Sequence, residues 1–297
     1  MSVVERALPI ALDTTRLFAI VGPTASGKSE LAAELAERVG GEVVSADSVQ
    51  IYRRFDAGSG KPTAQELARA PHHLLSEIDP LDPIDAAAWA NLASIRIGEI
   101  RARGRVPIVC GGTFLWIKAL VFGLAAAPAA SAPARERHRA IAEHEGRAAL
   151  HGRLRLVDPT SAARLHPNDF VRVSRALEVY EMSGKPMSAW QTEHAFASAR
   201  HPARLVGVAV TPPVLTERIR ARAVAWIERG WIEEVEGLLA QGYGSARAMG
   251  SVGYAQIRAM LHGGLARSEL EIAIVRATRI FARRQRTWLN HADVMWL

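Results

Sequence analysis

Eight residues near the start of the chain carry the strongest chemical signal. Gly22, Pro23, Thr24, Ala25, Ser26, Gly27, Lys28 and Ser29 read G-x-x-x-x-G-K-S, the spacing of a phosphate loop. Glycines let such a loop curl until successive N–H groups point at one anion. A helix that starts there adds its unpaired N–H groups and the positive end of its dipole. Lys28 would set a point charge on the terminal phosphate, and the Ser29 hydroxyl would contact Mg²⁺. This chemistry specifies a bound diphosphate or triphosphate. It names neither the molecule that carries it nor the group that is transferred.

The flanking sequence supplies the elements such a loop requires. Residues 17–21 are apolar and β-prone, and residues 30–39 are apolar at helical spacing before Gly40 and Gly41 stop them. A second strand over Glu42–Ala46 brings Asp47 to the carboxyl end of the sheet, where ligands bind in α/β folds. Asp47 is equally a turn or N-cap aspartate. Thr63 and Glu66 form a capping box, and His72 and His73 read as loop residues, not a metal pair. A helix spans Asp85–Arg103. A third strand, Arg105–Cys110, runs into Gly111, Gly112 and Thr113. The glycines would allow a ligand close to the backbone. Thr113 would cap the helix Phe114–Phe122, contact phosphate, or do both.

Composition sets the outer bounds. The chain has 297 residues, 49% hydrophobic and 23% charged, an ordinary globular balance. Its formal net charge of +7 points to an anionic partner, with nucleic acid first, or else reflects heavy arginine use, since only Lys28, Lys61, Lys118 and Lys185 are lysines. Cys110 is the sole cysteine, which excludes an intrachain disulfide and a cysteine metal cage and fits a reducing compartment. The first residues lack the apolar run of a signal peptide, and no stretch approaches the ~20 apolar residues of a membrane span, so a cytoplasmic protein is expected.

The texture changes at Gly123. Residues 125–134 are rich in Ala and Pro, and helices are expected over Arg135–His151, Pro159–Leu165, Asp169–Met182 and Pro186–Glu193. A strand at Leu205–Val210 returns the chain to the sheet. Helices follow over Leu215–Arg229 and Trp231–Gln241, then from the opening Ser251–Tyr254 to about Leu261, and over Glu269–Trp288. Arg218 and Arg222 share a face at i, i+4, as do Arg172 and Arg175 at i, i+3. Arg276, Arg279, Arg283 and Arg286 fall within a stripe of roughly 80°. Such a stripe suits a phosphate backbone or a solvated face.

Taken in order, several motifs resemble the tRNA dimethylallyltransferase family. They are the phosphate loop, Ser45–Tyr52, Gly60–Thr63, Pro71–Leu75, Gly111–Thr113, His166–Asp169, Arg172–Glu178, Ser183–Lys185, Ser251–Tyr254 and Arg284–Leu289. The resemblance spans about residues 17–289. It implies an α/β fold with a P-loop NTPase-like parallel sheet core (14–127 and 201–297) and an inserted all-helical domain (128–200) that grips a tRNA anticodon stem-loop. It implies transfer of a dimethylallyl group from dimethylallyl diphosphate, with Mg²⁺, to N6 of the adenosine 3′ of the anticodon in tRNAs reading codons that begin with U. Asp47 then resembles the general base, Thr113 a diphosphate contact near the breaking bond, and Arg135 an arginine needed for activity. The diphosphate would lie on residues Gly22 to Ser29 with Arg218 and Arg222. Asp47, Ser48, Val49 and Gln50 would meet the target base, and Val171, Arg172, Val173, Ser174 and Arg175 the tRNA. A monomer is expected.

The sequence departs from the family pattern in places. Ser29 replaces the commoner Thr, Gly58–Lys61 reads Gly-Ser-Gly-Lys instead of Gly-Thr-Ala-Lys, Phe114 and Trp116 are unusually large, and Ala255 replaces a basic residue. Other readings of the same loop are a small-molecule kinase, a prenyltransferase acting on free adenine nucleotides, and an RNA-binding ATPase without catalysis. The last leaves Asp47 and Thr113 without a chemical role.

Overall fold

The structure is a computed structural model that describes residues 2–290 and 292–297. It divides into two compact units: one runs up to Val121 and resumes over Arg200–Leu297, and the other is Phe122–Ala199.

The first unit alternates strands and helices. In chain order it holds α1 (Val3–Ala11), β1 (Leu17–Val21), α2 (Lys28–Val39), β2 (Glu42–Ser45), α3 (Ala64–Arg69), β3 (His72–His73), α4 (Ala86–Ala102), β4 (Pro107–Gly111) and α5 (Phe114–Phe122). The second unit contributes α6 (Ala132–His144), α7 (Arg147–Val157), α8 (Pro159–Arg164), α9 (Phe170–Ser183) and α10 (Met187–His194). The chain then returns through β5 (Ala203–Gly207), α11 (Pro212–Glu228), α12 (Trp231–Ala240), α13 (Tyr254–Leu261), α14 (Leu270–Leu289) and β6 (Val294–Trp296).

The six strands lie in the order β3-β2-β4-β1-β5-β6, and all neighbours are parallel. β1, β2 and β4 are buried along their whole length. Helices cover both faces of such a sheet, which is why these strands read as continuous apolar runs. Parallel pairing of β1 with β4 and of β4 with β2 sets their carboxyl ends side by side. The phosphate loop, Asp47 and Thr113 therefore leave the sheet at one edge.

Some local expectations need correction. His72 and His73 are not loop residues. They form a short strand beside β2, where His73 Nε2 lies 2.6 Å from the buried Glu42 carboxylate. The helix expected over 135–151 breaks after His144, because Gly146 takes φ +90° and starts a new helix. α1 and β6 add to the elements expected from sequence; α1 is fixed by a capping box between Ser2 and Glu5. Among the described residues no helix is long and apolar enough to cross a membrane.

The helical unit has its own core, with Leu150, Leu154, Ala162, Val173, Ala176 and Leu177 at its centre. Buried His138 ties α6 to α9, with Nδ1 2.9 Å from Ser174 Oγ and Nε2 2.9 Å from Glu181.

Candidate active site

The phosphate loop follows β1 with the curl its sequence requires. Ala25 and Gly27 both take positive φ, +65° and +90°, and α2 begins at Lys28. The Ser26 hydroxyl is buried without a hydrogen-bond partner among the described residues. Lys28 Nζ reaches the Pro23 carbonyl at 3.4 Å. Burial pulls the Lys28 ammonium below its ordinary pKa, and the charge of Asp47 opposes that shift.

Two later helices brace the loop. From α11, Arg218 donates to the Ser26 carbonyl at 3.4 Å and Arg222 to Thr24 Oγ1 at 2.5 Å. Burial brings the Arg222 pKa down to about 10, with Asp47 opposing, so the guanidinium stays charged at neutral pH. From α14, Gln285 accepts from the Thr24 N–H at 2.8 Å and donates to the Gly112 carbonyl at 2.9 Å. Gln285 is the loop-bracing residue that sequence reasoning missed. Its signal was a buried polar side chain on the apolar face of α14, inside the Arg284–Leu289 motif.

Asp47 and Thr113 come together at the ends of β2 and β4. Asp47 Oδ1 accepts from the N–H groups of Val49 (2.9 Å) and Gln50 (3.3 Å), and Oδ2 has no hydrogen bond among the described residues. Thr113 Oγ1 accepts from the Ser48 N–H at 3.1 Å, and its own N–H bonds the Ala46 carbonyl. Gln50 is tied to Ser45 Oγ and the Gly60 carbonyl. Gly111 and Gly112 make room for neighbouring protein atoms, and Gly111 also lines a small cavity with Lys28, Ser29 and Asp47. A Cβ at Gly111 would stand 2.1 Å from the Ala46 oxygen, and one at Gly112 2.3 Å from Gln285 Nε2.

Two cavities meet here. One of about 390 Å³ is lined by Asp47, Ser48, Val49, Thr113 and the aromatic rings of Trp226, Trp231 and Phe281. The other, about 640 Å³, lies over the phosphate loop and is lined by Ala25, Gly27, Lys28, Ser29, Lys61 and Arg218. Arg222 and Trp226 line both. The cavity over the loop and the one holding the carboxylate and the hydroxyl therefore share a wall. Burial raises the thiol pKa of Cys110 to about 12, which keeps the thiol protonated at neutral pH.

The sites assigned to the helical unit separate into two groups. Val171 is 75% exposed, and the Arg172 side chain is 65% exposed, paired with Asp169 at 2.8 Å. Val173 and Ser174 are buried in the helical core, so they present nothing to an RNA. Arg175 is also diverted. It donates to the carbonyls of Pro128 and Ala129 and pairs with buried Glu178 at 2.8 Å, holding the Ala/Pro-rich segment to α9. Arg135 Nε lies 3.5 Å from the same Glu178.

A parallel sheet, a phosphate loop at its carboxyl edge and an acid–hydroxyl pair beside it define an α/β enzyme of the phosphate-loop class. The sequence profile of the IPP transferase family matches residues 50–292, and the chain belongs to that family. It is 64% identical to a tRNA dimethylallyltransferase of Sorangium cellulosum over 95% of this chain and 90% of that protein. A Myxococcus xanthus protein of the same name is 47% identical over 92% of this chain and 89% of its own length. The crystal structure of a tRNA isopentenylpyrophosphate transferase from Bacillus halodurans superimposes with a TM-score of 0.69 at 35% identity, covering 96% of this chain and 90% of that one. A eukaryotic dimethylallyltransferase captured acting on tRNA gives a TM-score of 0.73 at 25% identity, over 95% of this chain and 73% of its own.

Proposed function

We propose that this protein transfers the dimethylallyl group of dimethylallyl diphosphate to N6 of adenosine 37, 3′ of the anticodon, in tRNAs reading codons that begin with U. The observation that carries this reading is the pairing of cavities: Asp47 and Thr113 line the one that adjoins the phosphate loop. The names of the relatives supply the substrate class.

The diphosphate would lie on the loop, held by its N–H groups, the Ser26 hydroxyl, Lys28, Arg218 and Arg222. The bond between C1 and the diphosphate oxygen breaks, and its electron pair stays on the departing diphosphate. The N6 lone pair forms the new bond to C1. Adenine N6 is a weak nucleophile, so Asp47 Oδ2 accepts its proton as charge develops. Thr113 Oγ, fixed by Ser48, donates toward the oxygen at the breaking bond. The base enters unstacked, out of the anticodon loop.

The donor set around the loop fits Mg²⁺. Among the described residues no group of three His, Cys, Asp or Glu forms a metal cage, whereas Ser29 lines the phosphate-side cavity. Mg²⁺ is commonly held by few protein atoms together with substrate phosphates. Bound by Ser29, it would neutralise charge on the leaving diphosphate.

The tRNA would be gripped by exposed arginines, Arg172 on α9 and the stripe on α14. The protein would act in the cytoplasm as a monomer. The test is incubation with radiolabelled dimethylallyl diphosphate and either unmodified tRNA or free AMP. Label should enter tRNA alone, and Asp47→Asn should slow single-turnover transfer by roughly 10²–10⁴-fold with donor binding kept. Near-normal transfer by folded Asp47→Asn would remove Asp47 from the role of base.

A further inference from the structure

Among the described residues, Arg222 and Trp226 alone line both the cavity over the phosphate loop and the cavity holding Asp47 and Thr113. A donor with its diphosphate in the first and its reacting carbon facing the second must lie across this pair. Arg222 is charged and bonded to Thr24, so it offers little to hydrocarbon. The other described residues lining the phosphate-side cavity are glycine, alanine or polar, which leaves the Trp226 indole as its one large apolar surface. An apolar tail attached to a diphosphate there meets that ring first, before it reaches Ile219, Trp231 and Phe281 in the second cavity.

The ring is held from three directions. The Arg222 guanidinium sits 4.5 Å from the centre of the Trp226 ring, and Trp231 meets it edge-on at 5.4 Å and 87°. Gly60, at φ +68°, lies so close that a Cβ would come within 3.3 Å of the indole. A side chain braced in this way does not swing aside for a longer substrate.

We propose that Trp226 is the specificity-determining residue for the length of the allylic tail, forming the wall that admits a five-carbon unit and stops a ten-carbon one. This rests on the reading of the donor as a prenyl diphosphate. The experiment compares kcat/KM for dimethylallyl diphosphate and geranyl diphosphate, with unmodified tRNA as acceptor, in the full-length protein and in Trp226→Phe, Trp226→Leu and Trp226→Ala. Pockets discriminate by about 10–200-fold for small changes in apolar size. The C10/C5 ratio should therefore rise at least about tenfold in the Leu and Ala variants and stay near wild type in the Phe variant, with KM for tRNA unchanged. Melting curves show which variants are folded, and Trp226→Leu carries the test if Trp226→Ala is not. A ratio that moves less than about twofold in every folded variant overturns the proposal, as does an effect confined to KM for tRNA, which would set the ring against the acceptor base. Wild-type protein that prenylates tRNA with neither donor would overturn the donor reading itself, a different result from active enzyme with an unchanged ratio.

Discussion

Asp47 shows how one side chain holds its own turn and still faces the chemistry. Oδ1 is fixed by two N–H groups, and Oδ2 has no hydrogen bond among the described residues. The turn-aspartate reading and the catalytic reading are therefore compatible. Lys28 is the clearest case of a group waiting for an anion, since burial lowers its pKa and only Asp47 among the carboxylates offsets the loss. Removing it should weaken donor binding by about 1.5–3 kcal/mol, the range for a hydrogen bond to a charged group, and slow ionisation of the C–O bond. Calorimetry with dimethylallyl diphosphate on Lys28→Ala measures this. Unchanged affinity and rate would mean that the loop does not hold the diphosphate.

At the scale of elements, the sheet edge near β3 depends on one buried carboxylate. Glu42, 4% exposed at its side chain, meets Arg103 at 2.7 Å, His73 at 2.6 Å and Arg105 at 3.6 Å. Burial alone would raise its pKa, but the bonds from Arg103 and His73 hold it below the ordinary value. A lowered folded pKa means that the contribution is fully present above the unfolded value of about 4.3 and fades as pH falls through the folded one. Glu42→Gln should lose about 2 kcal/mol near pH 7, and the gap from wild type should narrow below pH 4. Urea melts at a series of pH values would show this. A constant gap across pH would mean that Glu42 acts by shape and not by charge. α11 and α14 do for the loop what Glu42 does for the edge: Arg222 and Gln285 hold Thr24 from two helices.

Over the whole molecule the question is where uncompensated positive charge lies. In the helical unit Arg137, Arg139, Arg153, Arg172 and Arg175 each have an acidic partner. The α14 arginines differ: Arg276, Arg279, Arg283 and Arg286 line one groove against α11 and have no acidic partner among the described residues. An exposed pair such as Arg172–Asp169 is worth about 0–1 kcal/mol and is readily exchanged for phosphate. tRNA affinity should fall steeply with salt, and Arg172→Ala or Arg283→Ala should each reduce the slope of log K against log salt by roughly 0.7–0.9. Arg175→Ala should leave the slope alone and lower the melting temperature, because it anchors Pro128 and Ala129. Filter-binding titrations at several salt concentrations separate these outcomes. Unchanged slopes for Arg172→Ala and Arg283→Ala would withdraw both faces from RNA binding.

The sequence by itself determined the phosphate loop, its strand and helix, the placing of Asp47 and Thr113 at strand ends, and the helical character of residues 135–193. These are short-range properties, written in apolar period, caps and spacing, and the structure keeps them with shifts of a few residues. Tertiary structure alone decided which polar groups meet. Gln285 reaches Thr24 across 261 positions and Arg222 reaches it across 198, separations that no local pattern encodes. It also decided which face of α9 is buried. Arg172 and Arg175 look alike in sequence, yet one stands in solvent and the other is bound to carbonyls 46 and 47 positions earlier. Burial depends on what packs from elsewhere in the chain, and the same dependence puts Trp226 where two cavities join.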